Sequence, residues 1–69
     1  MIEVFKTNVQ KDFQAQIIVA FLNQQFPGSR INFDLDDCDR ILRIEGSTFC
    51  PLKVMDLMEQ KGFHCAVLE

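Results

Sequence analysis

The amino-acid sequence predicts a small α+β sandwich, a four-stranded antiparallel sheet carrying two helices on one face. Three observations carry that expectation. Polarity alternates with a period of two in four short runs, it changes to a helical period in two longer runs, and Pro27-Gly28 and Lys61-Gly62 stand where each helical run should stop.

Residues 2–7 read as the first strand, with the β-favouring Val4 and Phe5 among residues of alternating polarity. Which of the two points inward is left open, since a one-residue change of register exchanges them. Asn8 then offers an N-cap. Phe13, Ile17, Ala20 and Phe21 recur at i, i+4, i+7 and i+8, and Ile18 and Leu22 widen the stripe, so an amphipathic helix ending near Phe26 is expected to bury that face. Pro27 cannot continue the ladder, and Gly28 accepts a left-handed turn.

Ile31, Phe33 and Leu35 alternate with Asn32 and Asp34, giving a strand with one buried face. The acidic stretch Asp36-Asp37-Cys38-Asp39 leads directly into Arg40–Glu45, where Leu42 and Ile44 alternate with Arg43 and Glu45, so a tight hairpin is expected. Ser47 or Thr48 is placed to cap a second helix, with Pro51 in its first turn. Val54, Leu57 and Met58 supply its apolar face, Lys61-Gly62 ends it, and residues 63–68 form the last strand. The order is that of the ferredoxin-like βαββαβ sandwich, a single domain over residues 1–69. Two interleaved right-handed crossovers put the first and third strands at the centre of the sheet.

A chain of 69 residues buries only about 60% of the surface it exposes when unfolded, which bounds stability to modest values. Hydrophobic residues make up 48% and charged residues 25%, which favours a packed core over disorder. A net charge of -3 argues against nucleic acid, whose phosphates require clustered Lys and Arg. The third strand, Arg40–Ile44, offers no aromatic ring on which a base could stack. The N-terminus lacks the apolar run of a signal peptide or membrane span, and the odd set Cys38, Cys50 and Cys65 suits a reducing compartment. A cytoplasmic protein without disulfides, away from membranes, is therefore expected.

The element order, the length, and the ending Val54-x-x-Leu57-Met58-x-x-Lys61-Gly62-Phe63 resemble the heavy-metal-associated (HMA) domain of copper chaperones and metal-pumping ATPases. In that family the loop after the first strand carries M-x-C-x-x-C, whose thiolates hold a soft metal such as Cu(I). The corresponding stretch here, Thr7–Gln14, has no Cys, His or Met, and Lys11 and Gln14 fall where the thiolates would be. The resemblance thus implies the fold and docking to a partner domain, without copper transfer and without a cofactor.

Four further features bear on chemistry. Cys50 precedes Pro51 at a helix start, where unpaired N–H groups favour a thiolate, and Cys50-Pro51-Leu52 is similar to the Cys-Pro motif of small sulfur-carrier proteins. A small, partly buried cap residue is the plainer expectation for it. Asp36 and Asp37 in the acidic hairpin could hold a hard cation, but Asp is also a preferred turn residue. His64 and Cys65 are ligand types on opposite faces of one strand. Cys38 and His64 share an end of the sheet, yet two ligands make a poor zinc site.

These readings converge on a non-catalytic interaction domain. Its expected contact is a protein partner, or a second copy in a homodimer, docked on the open face of the sheet. Ile41 and, in one register, Phe5 would lie there. The alternatives are thiol chemistry at Cys50 in sulfur transfer or redox handling, and residual metal binding.

Overall fold

The computed structural model describes residues 1–68. The elements run β1 (Ile2–Thr7), α1 (Asp12–Gln25), β2 (Arg30–Asp34), β3 (Ile41–Glu45), α2 (Pro51–Gln60) and β4 (Cys65–Val67). The sheet order is β2-β3-β1-β4 with every neighbouring pair antiparallel, so β1 and β3 are central as the ferredoxin-like order requires.

Strand register settles which face of β1 is buried. Phe5 lies opposite Leu42 on β3 and Val67 on β4, and Glu3 opposite Ile44. Phe5, Leu42 and Ile44 are fully buried, which puts Val4 rather than Phe5 on the open face. Ile18 and Leu22 of α1, and Val54, Leu57 and Met58 of α2, close over these strands in one core that also takes in Val9 and Phe49. Each such aliphatic or aromatic side chain contributes roughly 1.5–3 kcal/mol when removed from water.

The first helix departs from its expected orientation. Phe13 is 62% and Ile17 61% exposed, and Ala20 is exposed too, while Ala15, Ile18 and Leu22 form the buried face. Eight of the fourteen residues of α1 are apolar, so the period fits several rotations of the helix, and packing against the sheet selects the one that buries Ala15, Ile18 and Leu22. Its start also lies later than expected. Asn8 is no N-cap; the N–H of Lys11 donates to Gln14 Oε1 at 3.2 Å at the first turn.

The second helix begins at Pro51 with Cys50 as N-cap, so neither Ser47 nor Thr48 caps it. Its end is a Schellman turn. Gly62 N–H donates to the Glu59 carbonyl (2.9 Å) and Phe63 N–H to the Met58 carbonyl (3.0 Å), with Gly62 at φ 89°. At the end of α1 the Phe26 carbonyl accepts from Ser29 N–H at 3.2 Å across Pro27-Gly28, with Gly28 at φ 86°, the signature of a type II turn. Phe26 and Phe49 meet edge to face, 6.1 Å between centroids, and close this end of the core.

Two further expectations are corrected. The β2–β3 connection is a six-residue loop, Leu35 to Arg40, not a tight hairpin, because Arg40 turns the chain in a left-handed conformation at φ 48°. It is held there by its N–H to the Asp37 carbonyl (3.0 Å) and by Nη1 to the Leu35 carbonyl (3.0 Å). The last strand is only Cys65–Val67, since Phe63 belongs to the helix-terminating turn and His64 N–H is bonded to Asn8.

Candidate functional site

The loop after β1 is closed by structural hydrogen bonds. Thr7, which is buried, donates its hydroxyl to the Arg40 carbonyl and accepts from Val9 N–H at 3.3 Å. Asn8 Oδ1 accepts from His64 N–H at 2.9 Å, tying this loop to the turn after α2. Val9 fills the core, and Lys11 and Gln14 join in the first turn of α1. Lys11 and Gln14 thus serve the fold.

The acidic loop spends its side chains locally. Asp34 Oδ1 accepts from Asp36 N–H at 3.2 Å, and Asp37 Oδ1 from Asp39 N–H at 2.8 Å. Asp39 also lies 3.9 Å from Lys6 Nζ, an exposed pair of little energetic weight. Asp37, Cys38 and Asp39 bring their ligand atoms within 4.8 Å of one another, and neither Asp36 nor His64 belongs to that group. Among the described residues, no group of three or more such ligands includes both Cys38 and His64.

The three cysteines occupy unlike surroundings. Cys38 and Cys50 are exposed, whereas Cys65 is half buried against the core. Burial pushes the Cys65 thiol up to about 12, so it stays protonated across the physiological range. Cys50 is more exposed than the partly buried cap expected for it, and stands at the opposite end of the sheet from Cys38 and His64.

No protein-family model, curated protein or solved structure matches the chain. What the surface can do must be read from its own residues. No helix among the described residues is long and apolar enough to cross a membrane.

The open sheet face carries Ile2, Val4 and Ile41 among Lys6, Arg30, Asn32, Asp34, Arg43 and Glu45, in cross-strand rows such as Ile2-Glu45-Arg30 and Val4-Arg43-Asn32. Ile2 and Val4 are neighbours along β1, and the exposed Leu68, whose N–H donates to the Val4 carbonyl, lies beside them, so one apolar strip runs among the charges. A second apolar surface lies on α1, where Phe13 and Ile17 stand in the open beside a shallow cleft formed by Ile17, Ile18, Phe21 and Phe63. Lys61 Nζ lies over the Phe21 ring, 4.2 Å from its centre, a cation–π contact. Residue periodicity assigned this stripe to the core; the signal pointing outward was that α1 holds more apolar residues than one face of a helix can bury.

Proposed function

We propose that this chain is a non-catalytic protein-interaction domain, HMA-like in fold and lacking that family's thiolate pair, which works in the cytoplasm. The observation that supports it is the exposure of Phe13 and Ile17, two large side chains held in water on a helix whose core positions are already filled. An apolar stripe of this kind is costly to keep exposed and favours a covering partner. Lys61 beside Phe21 is the cation at this surface. The partner that fits is an apolar segment bearing a carboxylate, with charge setting its orientation. The open sheet face, with Ile2, Val4 and Ile41 between charged rows, is the second surface available to a protein partner.

A photo-crosslinking residue at position 17, followed by reconstitution with the purified partner it captures, tests this reading. Binding should be lost in Ile17→Lys. A captured protein that binds Ile17→Lys as well as it binds the parent would overturn it.

The competing reading is thiol chemistry at Cys50, favoured by the exposure of that side chain at the first turn of α2. A persulfide or mixed disulfide on untagged protein, lost in Cys50→Ser, would decide for it. Unmodified Cys50 thiol throughout would decide against it.

A further inference from the structure

The two edges of the sheet differ. β4 presents only three residues, Cys65–Val67, whereas β2 presents five, Arg30–Asp34, with no proline and no bulge against β3. Long unprotected edges invite another strand.

The ladder fixes which backbone groups of β2 are free. Gly46 N–H donates to the Met1 carbonyl, while Leu68 N–H donates to the Val4 carbonyl. Odd residues of β1 therefore turn their backbone groups toward β3, and even ones toward β4. Because these groups alternate along an antiparallel strand, Leu42 and Ile44 bond to β1, and Ile41, Arg43 and Glu45 bond to β2. Their partners Asp34, Asn32 and Arg30 are then engaged, and the N–H and C=O of Ile31 and Phe33 point outward from the sheet.

We propose that two copies of this chain pair antiparallel along β2, centred on Asn32, to join two four-stranded sheets into one. The sequence of the edge is complementary to itself in this register. Ile31 lies opposite Phe33 of the second copy, and the four free backbone groups of each copy meet four of the other. Arg30 lies opposite Asp34 of the second copy, twice by symmetry, and Asn32 meets Asn32.

Arg30 and Asp34 point to the open face and are exposed, so neither must leave the core to make the pair; Arg30 would exchange an exposed contact with Glu45 at 4.0 Å for it, and Asp34 has a second carboxylate oxygen beside the one that accepts from Asp36 N–H. They fall at the closely spaced, non-hydrogen-bonded positions of the new ladder, where cross-strand side chains interact most strongly. On the other face, a groove of about 800 Å³ between α1 and β2, lined by Val19, Ile31, Phe33 and Leu35 and by polar residues that include Asp12 and Asp36, would be closed by the same groove of the second copy. The half-buried Ile31 and Phe33 gain cover there. This interface uses the flank of α1 opposite to Phe21, leaves Phe13 and Ile17 free, and stands or falls separately from the partner surface proposed above.

Sedimentation equilibrium over a wide concentration range tests it. The parent chain should reach a dimer. Arg30→Asp sets like charges opposite each other twice and should weaken association on the order of tenfold. Adding Asp34→Arg to the same chain should restore it. Ile31→Pro removes an N–H that makes no bond within the chain, so it should remain folded by circular dichroism and become monomeric. A parent chain that stays monomeric at millimolar concentration would overturn the proposal. So would a dimer indifferent to the charge swap, and that reading holds even if Ile31→Pro unfolds.

Discussion

The two helices lie over the same sheet but divide their apolar residues differently. On α2 the residues expected from spacing to be inside, Val54, Leu57 and Met58, are the ones buried. On α1 part of the expected face, Ile18 and Leu22, is buried, while Phe13, Ile17 and Ala20 lie in the open. On α2 the apolar residue left in the open is Leu52, 72% exposed in the first turn, and the rest of the helix has a single good rotation against its sheet. A helix with a surplus has several, and the residues left over after packing mark a surface with another use.

Truncating the buried face of either helix should give the largest effect. Leu22→Ala and Met58→Ala each leave a cavity in the one core and should cost about 3 kcal/mol in urea unfolding. A loss under ~1 kcal/mol at Leu22 would show that α1 is not held by that face.

The ends of the helices sharpen the contrast next. Gly62, at φ 89° with open space where a Cβ would project, closes α2; Gly62→Ala should cost on the order of 1 kcal/mol through backbone strain alone. An unchanged midpoint would mean the turn relaxes into another cap.

A smaller effect, dependent on pH, is expected at Cys65 beside α2. Burial pushes its folded thiol up to about 12 from an ordinary value near 9, so above about pH 9 the unfolded chain releases a proton that the folded chain retains. That contribution to stability is present in full below pH 9 and is lost as pH rises toward 12. Stability in urea should therefore fall more steeply over that window in the parent than in Cys65→Ala. Equal slopes would place the thiol in water.

Much of the fold was legible because two kinds of signal agree. The alternation in Ile31–Leu35 and Ile41–Glu45 fixes which side of those strands is buried, and the Gly turns fix where the helices end. Neither signal decides between Val4 and Phe5, both β-favouring; the pairing of Phe5 with Leu42 and Val67 does. Asn8 and Ser47 look like caps because side-chain capping is a local preference. At Asn8 the choice was made by a residue 56 positions away, His64, which no local pattern contains.

The candidate site was legible only as a set of exclusions. Cys50 was correctly placed at the start of a helix, but its exposure depends on how that end of the core packs. The acidic residues were expected in a turn and stand in one, bonded to neighbouring amides. The stripe on α1 was hidden because a residue type suited to a core carries no mark of which core positions remain vacant.

The unfolding free energy of Phe13→Ser/Ile17→Ser, measured beside Leu22→Ala, tests the central claim most directly. If the outer side of α1 serves a partner rather than the fold, the double variant should stay within about 0.5 kcal/mol of the parent, as surface substitutions do. A loss of ~3 kcal/mol, matching the truncation at Leu22, would show instead that Phe13 and Ile17 belong to the core.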